Sequence, residues 1–121
     1  MSAVTGACLL VRKSLYQEVG GFDEKQLSIG YNDVDFCLKV RAKGYRNLIC
    51  AVADLIHHES ASRGEDLAGE KLERFRREGA VLRERWADLL DRDPAYNPNL
   101  TDTAEDFALA FPPRWRNIRD K

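Results

Sequence analysis

Two polar clusters carry the side chains best suited to chemistry: Tyr31-Asn32-Asp33-Val34-Asp35 and His57-His58-Glu59-Ser60-Ala61-Ser62-Arg63-Gly64. Carboxylates can accept protons, and an imidazole next to a glutamate can serve as one corner of a metal site. Each cluster also has a plainer explanation. Asp33 and Asp35 fall where a helix begins, and capping and the macrodipole both favour acidic residues in a first turn. The histidines with Glu59 read equally well as a polar loop. Asp33 and Glu59 could be imagined as the facing carboxylates of a glycoside hydrolase, but that reaction needs the two groups across a sugar ring, and nothing in the spacing puts them there.

The elements that would position these clusters follow from patterning. Residues 3–11 form an apolar run broken by Thr5 and Gly6, which predicts a buried strand. A short helix is expected over residues 13–19, stopped by Gly20-Gly21, with Phe22 folding back onto the core. Asn32 or Asp33 is placed to cap a helix that runs to about residue 43, where Gly44 offers the stop. Val34, Cys37, Leu38 and Ala42 would be its apolar face. Residues 45–56 lack a helical period and are rich in apolar and β-branched types, so one or two strands are predicted, with the histidines at a strand's exit.

Residues 64–91 carry the clearest helical signal, a seam of Ala68, Leu72, Phe75, Gly79, Leu82, Trp86 and Leu89. Gly79 on that seam implies close approach of another group. From residue 93 onward, Pro94, Pro98, Pro112 and Pro113 forbid long regular structure, while Tyr96, Phe107, Phe111 and Trp115 supply anchors that would hold the tail along a surface.

Composition narrows the classes. The 121 residues fit one core, and 19 basic against 20 acidic residues leave no field that would attract nucleic acid or an anionic membrane face. No apolar run approaches the ~20 residues needed to cross a bilayer, and no secretory signal pattern opens the sequence. Cys8, Cys37 and Cys50 are odd in number and far apart, without a CxxC pair, and are expected as small core side chains in a reducing compartment.

Taken in order, the segment Val4-Thr5-Gly6-Ala7-Cys8-Leu9-Leu10-Val11-Arg12, the turn Val19-Gly20-Gly21-Phe22-Asp23-Glu24, the two polar clusters, Arg85-Trp86 and Asp93-Pro94-Ala95-Tyr96-Asn97-Pro98-Asn99-Leu100 to Glu105-Asp106-Phe107 resemble the carboxyl-terminal half of bacterial family 2 glycosyltransferases. These have the GT-A fold and act in O-antigen and surface-polysaccharide synthesis. The resemblance covers nearly the whole chain. It implies an α/β fold, a truncated GT-A unit with a mixed sheet, flanking helices and a long carboxyl-terminal amphipathic helix. Residues 1–92 would be the acceptor-side catalytic portion, and residues 93–121 an extended closing segment.

The same resemblance assigns roles. Asp33 takes the position of the base that removes the acceptor hydroxyl's proton, with Asn32 where the family usually has glutamate. Asp35 would orient the helix start or the acceptor. Thr5, Gly6 and Ala7 would border the donor sugar, and Ser62 and Arg63 would lie near the phosphates. His57 matches the histidine that helps hold Mn²⁺ or Mg²⁺ against the diphosphate. Asp33-Val34-Asp35 and Asp91-Arg92-Asp93 both spell Asp-x-Asp, but neither follows a buried strand as the diphosphate-binding copy should. The implied partners are a nucleotide-diphospho-sugar donor and a glycan or lipid-linked acceptor, in the cytoplasm or at the inner face of the membrane, with only peripheral membrane contact. The chain starts about where the family's second half starts, so the donor-nucleotide site is expected to be missing, the isolated fragment to be inactive, and its uncovered apolar surface to drive homo-oligomers. The rival expectation is a non-catalytic interaction or dimerisation module built on the long helix and aromatic tail.

Overall fold

The computed structural model of the protein describes residues 1–56, 69–104 and 106–114. Helix α1 (Lys13–Glu18) is short because the chain turns sharply behind it: Gly20 and Gly21 adopt φ of +81° and +63°. At Gly21 a side chain is also excluded by packing, since a Cβ there would lie 2.7 Å from the Tyr16 ring. Phe22 then folds back, its ring 5.7 Å from Tyr16 edge-on and 5.2 Å from Phe36. These rings join Leu15, Phe36 and Val40 in a core that Leu9, Val11 and Val19 cover.

Helix α2 (Asn32–Ala42) is the centre of the molecule. It buries Asp35, Phe36, Cys37, Leu38 and Val40, which is more than one face of a helix. Phe36 and Val40 meet the α1 cluster, Cys37 meets residue 4, whose N–H donates to its Sγ at 3.5 Å, and Asp35 faces the last helix. The expected apolar face is therefore corrected: Val34 is only half-buried and Ala42 is exposed, whereas Phe36 and Val40 are in the core. The stop is as the sequence predicts, with Gly44 at φ +84° and its N–H bonded to the Arg41 carbonyl at 2.8 Å.

Helix α3 (Glu70–Asp91) lies over the start of α2 and departs from helical geometry at Trp86 (φ −125°, ψ 21°). Beyond it, residues 93–104 and 106–114 fold on themselves through an isolated antiparallel bridge between Leu100 and Leu109. The tail is tied to the body by the Arg114 guanidinium, which donates to the Asp91 carbonyl at 3.1 Å and pairs with Asp102 at 2.9 Å. Tyr96 is half-buried under Arg114, but Phe107 and Phe111 are exposed and do not anchor the tail as expected. Trp115 lies outside the described residues.

The mixed sheet expected over residues 3–11 and 45–56 is absent among the described residues. Residues 6–8 instead make one turn of 3₁₀ helix, with extended backbone on either side at Thr5 and Leu9. Residues 1–4 and 45–48 are held by side chains rather than by a ladder: buried Asn47 donates its amide to the carbonyls of Ser2 at 2.9 Å and Cys37 at 3.0 Å. The physical reason is that a strand exists only when a neighbour takes its successive N–H and C=O groups, and where residues 1–4 and 45–48 meet they do so through the Asn47 amide and the Met1 amine on the Asn47 carbonyl at 3.1 Å instead. The apolar residues meant for the sheet consequently face solvent, with Leu10 99% and Val52 91% exposed and Leu48, Ile49, Leu55 and Ile56 also open. Cys8 and Cys50 share this exposure, so only Cys37 behaves as the expected core thiol. Among the described residues no helix is long and apolar enough to cross a membrane.

Candidate functional site

Asp33 sits half-buried in the first turn of α2, and its two oxygens are fixed by backbone amides. Oδ2 accepts the N–H of Gly6 at 2.8 Å, and Oδ1 accepts the N–H of Val34 at 2.8 Å. Each oxygen keeps a lone pair for a further partner. The approach at Gly6 is close: a Cβ at that position would stand 3.1 Å from the Asp33 Cβ, so a larger residue would have to push Asp33 back by a few tenths of an ångström. Thr5 shapes the 3₁₀ turn from its other end by accepting the Ala7 N–H on Oγ1 at 3.2 Å. Gly6, flanked by Thr5 and Ala7, is thus brought against Asp33 across 27 positions of sequence.

The helix start itself differs from expectation. Asn32 and Asp33 are already inside α2, and the cap position is Tyr31, which makes no side-chain cap bond and takes left-handed geometry (φ 59°, ψ 4°). That conformation costs a non-glycine residue roughly 1–2 kcal/mol, so its surroundings must hold it. They do so from α3. The Tyr31 ring lies 4.7 Å from the Phe75 ring and rests on Gly79, where an added Cβ would be 3.3 Å from its edge. Glu78, 1% exposed, accepts the Gly30 N–H at 2.5 Å and the Ser28 hydroxyl at 3.0 Å. Burial, helped by the charge of Glu78, raises the pKa of the Tyr31 phenol.

Asp35 is fully buried and joins α2 to α3. Its Oδ1 accepts the Trp86 indole N–H at 2.9 Å and an Arg85 N–H at 3.3 Å. Its Oδ2 lies 2.7 Å from Lys39 Nζ, an ion-pair distance that lacks hydrogen-bond angles, so the attraction there is chiefly Coulombic. Asp35 is the buried member of this set, while the Lys39 and Arg85 side chains stay 24% and 27% exposed, so loss of one cation leaves the carboxylate with the other and with Trp86. Arg85 reaches onward to Asp23 at 2.6 Å and to the Gln26 side-chain carbonyl. The Asp23 pKa is lowered to about 2, first by the Gln26 backbone N–H and then by Arg85, whose own pKa is raised by Asp23 and Asp35. Residues 22–31 are therefore clamped at one end by Arg85 and at the other by Glu78, with Leu27 buried between.

Asn32 lies half-buried in the turn that carries Asp33, and His57, Ser62 and Arg63 lie outside the described residues. Among the described residues no three His, Cys, Asp or Glu side chains converge as a metal site. Sequence reasoning missed Glu78, and it quoted Arg85 and Asp23 for the resemblance without giving either a role. For Glu78 and Arg85 a signal was present in the spacing, since each lies three or four residues from seam positions Phe75, Leu82 and Leu89, at the border of the apolar seam; Asp23, in a turn, carried none of that kind.

No protein-family model and no solved structure matches the chain. Relatives by sequence do exist. The chain is 49% identical over 114 residues to the uncharacterized protein y4gI of Sinorhizobium fredii, covering 94% of the chain and 12% of that protein. It is 40% identical over 107 residues to the O-antigen biosynthesis protein RfbC of Myxococcus xanthus, covering 88% of the chain and 8% of that protein. It is also 37% identical over 65 residues to an N-acetylglucosaminyl-diphospho-decaprenol L-rhamnosyltransferase of Mycobacterium tuberculosis, covering 54% of the chain and 21% of the enzyme. The chain thus spans a small part of each of these relatives.

Proposed function

We propose that the chain is the acceptor-side portion of an inverting glycosyltransferase with the GT-A fold, in which Asp33 is the general base. The observation that carries this reading is the Gly6–Asp33 contact at 2.8 Å, which puts the segment expected to border the donor sugar directly beside the carboxylate expected to activate the acceptor. Similarity to an O-antigen biosynthesis protein and to a rhamnosyltransferase supports the same chemistry. The exposed apolar segments around Leu10 and Leu48 support the fold, since they have the composition of strands that would pair with neighbours supplied elsewhere in a longer polypeptide.

In this reading the acceptor hydroxyl approaches Asp33 and donates its proton as its oxygen attacks the anomeric carbon of a nucleotide-diphospho-sugar. The carbon–oxygen bond to the diphosphate breaks as the new one forms, which inverts the centre. Asp33 is suited to the task because two amides fix its orientation while leaving each oxygen a free lone pair. The acceptor would be a growing glycan or lipid-linked sugar of surface polysaccharide, met in the cytoplasm at the inner membrane face. A divalent ion held partly by His57 would neutralise the leaving diphosphate, and among the described residues no set of ligands converges to complete its shell. The test is to express the longer polypeptide that contains this stretch and follow nucleoside diphosphate release from nucleotide sugars with and without polysaccharide acceptors. Acceptor-dependent release is expected; its absence with every common nucleotide sugar would contradict the reading.

A further inference from the structure

Taking Asp33 as the base, as proposed above, we infer that Glu78 on α3 is the residue that positions it. Glu78 reaches the turn before α2 from another element, 48 positions away, and binds the Gly30 amide at 2.5 Å. It also takes the Ser28 hydroxyl at 3.0 Å. Gly30 immediately precedes Tyr31, whose left-handed backbone sets the direction in which α2 begins and so the side on which Asp33 projects. A carboxylate that is 1% exposed is costly to bury, and what it obtains here is the inward-facing amide of a turn. The bare Cα of Gly79, next in sequence, leaves room for the Tyr31 ring, so neighbouring positions of α3 hold both the backbone and the side chain of the turn. Gly30 accommodates the approach in turn, since a Cβ there would lie 3.0 Å from the Glu78 carboxylate.

What matters on this account is reach rather than charge, and two near-isosteric variants separate them. Glu78→Gln keeps the length and an acceptor oxygen; Glu78→Asp keeps the charge but withdraws it by one methylene. Amide exchange at Gly6 in the 121-residue chain reads whether Asp33 still takes its N–H, with Asp33→Ala as the unbonded reference. Glu78→Asp should exchange at Gly6 like that reference while Leu38 in the middle of α2 keeps its protection, and Glu78→Gln should resemble wild type. Gly6 protection unchanged in Glu78→Asp, or lost together with that of Leu38, would overturn the inference, because the first shows no positioning and the second only general stabilisation. In the longer enzyme, Glu78→Asp should lower kcat by about 10–10²-fold, the usual effect of displacing a reacting group by about an ångström, with donor KM unchanged and Glu78→Gln recovering most of the rate. Wild-type kcat in Glu78→Asp would overturn it as well. Should Asp33→Asn itself retain turnover, the base assignment falls and Gly6 exchange alone decides whether Glu78 positions that carboxylate.

Discussion

Asp23 shows how far a single side chain is committed to this arrangement. Its carboxylate takes the N–H groups of Lys25 and Gln26 and the Arg85 guanidinium, and its pKa falls from 3.8 to about 2. A folded pKa below the unfolded one stabilises the native state above the unfolded value, and that contribution is lost as pH falls through the folded value. Urea unfolding of wild type and Asp23→Asn should therefore differ most above about pH 4 and converge towards about pH 2, in the window set by that shift. Parallel stability curves across the window would contradict the assignment. Residue by residue, legibility depended on whether a role was local. Family resemblance singled out Thr5, Gly6, Ala7 and Asp33 separately, but not the Gly6–Asp33 contact that joins two of them across 27 positions, nor Glu78, because an acidic residue on a highly charged helix reads as solvated unless its three- and four-residue spacing to Phe75 and Leu82 is noticed.

At the scale of elements, α1, the Gly20-Gly21 reversal, the end of α2 at Gly44 and the long α3 were all legible, since each is signalled by propensity, periodicity or a glycine within a few residues. The strands were not. Residues 3–11 and 45–56 have strand composition, but pairing depends on partners distant in sequence, and composition cannot supply them. The start of α2 was misread for a related reason: Asn32 and Asp33 are good caps by type, yet the approach of Gly6 and the grip of α3 on Tyr31 move the boundary one residue back. Gly79 on the apolar seam was correctly read as a close approach, and the Tyr31 ring fills it. Gly79→Leu should accordingly drive that ring off α3 and destabilise the chain by about 1–3 kcal/mol, the common cost of overpacking, despite leucine's better helix propensity. Denaturant midpoints equal to wild type or higher would show that the Tyr31 contact is dispensable.

For the whole molecule, the main fact is how much apolar surface stays uncovered around Leu10, Leu48, Ile49, Val52, Leu55 and Ile56. Patches of this kind drive association, so sedimentation velocity at micromolar concentrations should show dimers or larger species, and Leu10→Asp with Leu48→Asp should shift them towards monomer. A clean monomer at all concentrations would mean that this face needs no cover.

The central claim is that Asp33 removes the acceptor's proton, and the most direct test is turnover of Asp33→Asn in the longer enzyme alongside calorimetric donor affinity. Asparagine keeps the size of the side chain and an oxygen for the Gly6 amide, so folding and donor binding should persist, while it cannot take a proton. A fall in kcat of about 10²–10⁴-fold with donor affinity unchanged is the expected result. Retention of more than about a tenth of wild-type turnover, judged against that same range, would contradict the account and send the search to another carboxylate.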